Sequence, residues 1–94
     1  MGGKNVTRQE MAGFLYNYAK MKGYSLAGTK ELTEFEDADK VSAWALEKMK
    51  WANANGIING KEKDGHRILD PRGTATRAEV AQMICNFQKK FAYH

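Results

Sequence analysis

The chain has little of what would tie it together covalently, hold a metal or carry it through a membrane. Its one cysteine, Cys85, excludes an internal disulfide and a cysteine-built zinc site. Its two histidines, His66 and His94, stand alone, and Asp37, Asp39 and Asp64 do not follow the alternating ligand positions of a calcium loop. No metal and no cofactor are expected. The single proline, Pro71, leaves most of the chain free to be helical. No apolar run approaches the ~20 residues that span a bilayer, so membrane insertion is not expected. The start, Met1-Gly2-Gly3-Lys4, lacks the apolar segment of a signal peptide. No nucleophile stands beside a recognisable base. Glu34, Glu36 and Asp37 read as adjacent solvated loop carboxylates rather than an acid/base pair. The expectation is a protein that binds rather than catalyses.

What remains suits one small domain or a fragment of a larger one: 94 residues, 43% of them hydrophobic, with four Phe, four Tyr and two Trp. The net charge of +4 favours polyanionic partners. The lysines are scattered, and Lys48, Lys50, Lys61, Lys63, Lys89 and Lys90 read as ordinary solvated positions. No helix is lined with Arg, Asn or Gln and no aromatic-basic interleaving occurs, so nucleic acid is not an expected partner.

The organising feature is an internal repeat. Thr7-Arg8-Gln9-Glu10 and Thr76-Arg77-Ala78-Glu79 are both Thr-x-x-Glu capping boxes. Each opens an apolar series at helical spacing: Met11, Phe14, Leu15 and Tyr18 in the first, Val80, Met83, Ile84, Phe87 and Phe91 in the second. Thr7, Arg8, Glu10, Ala12, Asn17 and Lys20 recur as Thr76, Arg77, Glu79, Ala81, Asn86 and Lys89. Each box places an arginine in the first helical turn, where the helix dipole disfavours a cation by roughly 0.3–1 kcal/mol. Two readings account for it. One is an intramolecular carboxylate, with Asp37, Asp39 or Asp70 as candidates. The other is an external anion held by guanidinium and helix N-terminus together.

In chain order, residues 1–5 read as a flexible lead and the first helix as about Val6 to Met21, stopping at Gly23. A connecting segment from Tyr24 to Thr33 follows, pinned by Leu26 and Leu32, and then the anchor Phe35 and the turn former Asp37. The second helix is expected from Ser42 to Asn53–Asn55, with Val41, Ala45, Met49 and Ala52 facing inward. Trp44 and Trp51 lie one heptad apart on its flank, as packing residues or a sugar platform. Ile57 and Ile58 read as buried. Asn59-Gly60 and Asp64-Gly65 read as turns that could bracket a brief hairpin. Leu69-Asp70-Pro71 reads as an anchor and turn, and the third helix as about Arg77 to Lys90 or Phe91, with Ala92-Tyr93-His94 fraying. Cys85, beside Ile84, reads as a small core residue. The fold class is all-α: a small module of about three main helices with irregular loops.

Taken together, Phe35-x-Asp37, Trp44-Ala45, Ala52, Gly56-Ile57-Ile58-x-Gly60, Leu69-x-Pro71 and Thr76-Arg77-Ala78-Glu79-x-Ala81 resemble one S-layer homology (SLH) repeat. The chain divides accordingly into residues 4–28, similar to the C-terminal half of such a repeat, and residues 35–92, similar to a complete one. The resemblance implies an extracellular protein of the bacterial cell wall or S-layer, anchored non-covalently to an anionic, pyruvate-bearing wall polysaccharide. It assigns ligand contacts to Arg77, Arg8, Gly60 and Asp37, with Trp44 as a further candidate. One and a half repeats do not close the family's three-repeat arrangement, which leaves three readings: the chain is a fragment, it forms a homo-oligomer through the unpaired apolar face of the half repeat with the arginines structural, or it has repacked as a small helical unit. One departure stands out: where SLH repeats commonly carry an aromatic after the Gly60 position, this chain carries Lys61, Glu62 and Lys63.

Overall fold

A computed structural model describes residues 6–91. The elements expected for residues 1–5 and 92–94 lie outside the described residues. Three helices, α1 (Arg8–Lys22), α2 (Leu46–Ala54) and α3 (Arg77–Phe91), carry the fold. Single 3-10 turns at Ala38–Lys40 and Ala43–Ala45 precede α2, and an antiparallel ribbon of β1 (Lys61–Lys63) and β2 (His66–Ile68) separates α2 from α3.

Both capping boxes form. Thr7 Oγ1 accepts the Glu10 amide at 3.1 Å, and Glu10 Oε1 accepts the Thr7 amide at 2.9 Å. Thr76 and Glu79 repeat these distances at the start of α3. Helix α1 ends at Gly23, whose φ of +78° is the left-handed conformation that a side chain resists. The second helix departs from expectation. Ser42 does not cap it, because its hydroxyl accepts from Gln9 Nε2 and its amide donates to Gln9 Oε1, both at 2.9 Å. Without a side-chain cap, the run opens as a 3-10 turn and becomes α-helical only at Leu46.

The core is where the three helices and two loops meet. Met11, Leu15 and Ala19 of α1 pack with Met49, Trp51 and Ala52 of α2, Met83 and Phe87 of α3, and Phe35, Ile57, Ile58 and Leu69. Trp51 is fully buried, edge-on to Tyr16 at 5.4 Å and stacked on Phe91 at 5.8 Å. This corrects the pairing of the two tryptophans: Trp44 is 53% exposed, its ring lying over Gly13 at the outer start of the run. Cys85 is also corrected. It is exposed, because α3 buries the stripe through Met83 and Phe87 and Cys85 falls off that stripe.

The hairpin forms, with Lys61 opposite Ile68 and Lys63 opposite His66. Asp64 (φ +52°) and Gly65 (φ +81°) turn it, the positive pair that a two-residue hairpin loop requires. Asn59-Gly60, by contrast, is not a turn. Gly60 is there because a Cβ would strike the Phe35 ring and come within 2.9 Å of the Ile68 carbonyl oxygen.

Candidate functional site

The first box docks on the loop that precedes the second. Two of the free amides in the first turn of α1 find loop carbonyls: Arg8 N–H donates to Gly73 O at 3.0 Å and Gln9 N–H to Pro71 O at 2.9 Å. The Ala75 amide donates back to Val6 O at 2.8 Å, and Thr7 and Thr74 form an antiparallel bridge. The N-terminus of α1 is therefore occupied by the chain itself. The idea that its backbone amides receive an external anion is corrected on that ground.

Docking carries the Arg8 side chain inward. Only 4% of it is exposed. Its Nε donates to Leu69 O at 2.7 Å, its Nη2 to Asn59 O at 3.0 Å, and its Nη1 lies 3.3 Å from Glu79 Oε2. The intramolecular acid exists, but it is none of the three aspartates expected. Glu79 serves twice: one oxygen closes the α3 capping box and the other meets Arg8. The same Oε2 lies 3.2 Å from Lys61 Nζ, which also donates to Asp70 Oδ2 at 3.1 Å. The amide of Thr76, with help from Lys61 and Arg8, holds the Glu79 carboxyl below its ordinary value. The Asp70 carboxylate, joined by Glu79, pushes the Lys61 ammonium up.

Beside this cluster lies an open cavity of about 200 Å³. Arg8, Gly60, Lys61, Glu79, Gln82 and Asn86 line it above a floor of Ile57, Ile58 and Met83. The amides of Gln82 and Asn86 bond to each other at 2.9 Å, and Asn86 Nδ2 donates to Ile57 O at 3.2 Å. Cations, amides and a bare glycine backbone around an apolar floor can hold a polar, acidic ligand of modest size.

Of the residues singled out from the sequence, the cavity brings together Arg8 and Gly60. Arg77 is exposed at the start of α3 and has no acidic partner among the described residues. Asp37 sits behind the site. Its two oxygens accept the amides of Leu69 and Asp70, each at 2.8 Å, and so hold the left-handed Asp70 (φ +51°) that turns the chain towards Pro71. Trp44 does not line the cavity. Sequence reasoning passed over Lys61, Gln82 and Asn86. The recurrence of Asn17 as Asn86 was the available signal for the last; for Lys61 it was the place after Gly60, where SLH repeats commonly carry an aromatic.

Two helices that open on matching capping boxes, the first docked on the loop that leads into the second, define a small helical module with internal repetition. The S-layer homology domain model matches residues 34–81, a little over half of the chain. The chain is 37% identical over 78 residues to the Surface-layer 125 kDa protein of Lysinibacillus sphaericus, which covers 83% of this chain and 6% of that one. It is 33% identical over 90 residues to Exoglucanase XynX of Acetivibrio thermocellus, covering 92% of this chain and 8% of the relative. Among solved structures it resembles the undecaheme cytochrome from the S-layer of Carboxydothermus ferrireducens, with a TM-score of 0.71 and 26% identity over 98% of this chain and 14% of that one. The chain belongs to the S-layer homology family. Membership places it at the bacterial cell surface, in modules that anchor proteins there by binding cell-wall polymers. It spans less than a tenth of the length of the curated relatives described here.

Proposed function

We propose that this chain is a non-catalytic module that holds a larger surface protein on the cell wall by binding an acidic, pyruvate-bearing polysaccharide in the cavity beside Arg8. The observation that carries the reading is that cavity, where residues from both Thr-x-x-Glu boxes meet at one opening. Residues 4–28 supply Arg8, and residues 35–92 supply Gly60, Lys61, Glu79, Gln82 and Asn86. Gly60 presents backbone to the cavity, its Cβ direction being filled by Phe35 and the Ile68 carbonyl. Asp37 shapes the loop from behind. Arg77 offers a second, exposed guanidinium to the polymer, and Trp44 an exposed aromatic face to a sugar ring further along the surface.

Co-sedimentation with purified Gram-positive cell walls tests this. The 94-residue chain should pellet with the walls, and Gln82→Trp, which fills the cavity from an exposed position, should remain in the supernatant. Equal pelleting of both proteins would remove the cavity from the mechanism.

A second reading is favoured by one observation. Between α1 and α3 runs an apolar groove of about 250 Å³ lined by Phe14, Leu15, Tyr18, Tyr24, Ile84 and Phe87. Phe14 is 60% exposed there. Such a face fits self-association through a second copy of the chain, with the arginines purely structural.

A further inference from the structure

The cavity holds two cations, and they are not equivalent. Arg8 is almost fully enclosed, and its guanidinium already satisfies two backbone carbonyls and a carboxylate. Turning it towards a ligand would leave the carbonyls of Asn59 and Leu69 without their donor inside the protein, which is costly. Lys61 is the reverse case. Its side chain is 37% exposed, at the edge of the cavity where β1 begins. An ammonium has three N–H donors. Asp70 and Glu79 engage two of them, at 3.1 and 3.2 Å, so one remains for a newcomer without breaking either contact. Gly60 next to it presents only backbone to the cavity, and Lys61 carries the cationic side chain that follows it on the lining. The two acids hold the flexible lysine stem over the opening rather than letting it swing free into solvent.

We infer that Lys61 is the residue that reads the ligand's carboxylate, and that Arg8 is the fixed pillar positioning Glu79 and, through it, Lys61. This rests on the proposed glycan-binding reading and refines it. The recognised group is a carboxylate on a sugar ring, such as a pyruvate ketal. Its sugar lies against Gly60 and its acid points to Lys61 Nζ. The site should therefore tolerate another cation at position 61 and reject a neutral residue there.

The test is titration calorimetry of the 94-residue chain with purified wall polysaccharide bearing pyruvate ketals, and with the same polymer after mild-acid removal of the ketals. Wild type, Lys61→Ala, Lys61→Gln and Lys61→Arg are compared, each with a melting curve. The expected result is a loss of roughly tenfold or more in affinity for Lys61→Ala and Lys61→Gln, the size of one charge-assisted contact. Lys61→Arg should stay within about threefold of wild type. Melting temperatures should barely move, since an exposed ion pair adds little stability. If both neutral variants bind the ketal-bearing polymer as wild type does, while wild type still rejects the stripped polymer, the role of Lys61 is wrong and the glycan reading stands. If wild type does not distinguish the two polymers, the glycan reading fails and the role of Lys61 fails with it.

Discussion

Arg8 and Arg77 occupy the same place in the same four-residue pattern, yet one is enclosed and the other open. The difference lies in what each meets beyond its own helix. Arg8 finds Leu69 O, Asn59 O and Glu79 on the unit that follows it. Replacing Arg8 with Ala removes all three contacts and leaves the Leu69 and Asn59 carbonyls without their donor. Chemical denaturation should show a loss of about 2–4 kcal/mol. Arg77→Ala should stay within about 0.5 kcal/mol of wild type in the same measurement. Gly60→Ala forces a methyl against the Phe35 ring and the Ile68 carbonyl, and should cost about 1–3 kcal/mol. An arginine in a first helical turn announced in the sequence that an anion was needed. It did not reveal which one, because Glu79 was already accounted for as a cap. A carboxylate has two oxygens, and only the fold showed the second one aimed at Arg8.

The two capping boxes are the joints of the molecule, and they are coupled. Glu79 closes its own helix while pairing with Arg8 and Lys61, so its ionisation affects the starts of both α1 and α3. Its carboxyl is held below the ordinary glutamate value of 4.5, so the folded state binds that proton less tightly than the unfolded chain. The stabilisation is therefore complete above about pH 4.5 and fades as pH falls through the folded value. Melting curves from pH 6 down to about pH 3 should fall more steeply for wild type than for Glu79→Gln, which has no such charge to lose. Helices α1 and α3 were legible to within two residues because their caps are local chemistry, written in four consecutive letters. The start of α2 was not, because Ser42 gives its hydroxyl to Gln9, 33 positions away. Nothing near Ser42 distinguishes a serine that caps from one that is claimed elsewhere. The same limit applied to Gly60: a glycine after an asparagine suggests a turn, and only the nearby Phe35 ring reveals a close approach.

Across the whole molecule, the three helices bury a continuous core but leave the groove beside Phe14, Tyr18 and Ile84 open. If that groove drives self-association, light scattering should show a mass above monomer that falls on Phe14→Ser. A monomer at high micromolar concentration would remove the interaction reading. The helical spacing placed Phe14 and Tyr18 in one apolar series with Met11 and Leu15, but only Met11 and Leu15 are buried. A sequence pattern cannot say whether a partner helix covers that side. If the cavity between the two boxes recognises an acid on a wall sugar, the affinity of the unmodified 94-residue chain for ketal-bearing wall polysaccharide should respond to ketal removal and to salt raised from about 50 to 500 mM. Binding that weakens steadily with salt, and is lost when the ketals are removed, is the predicted result. Binding indifferent to both would contradict it.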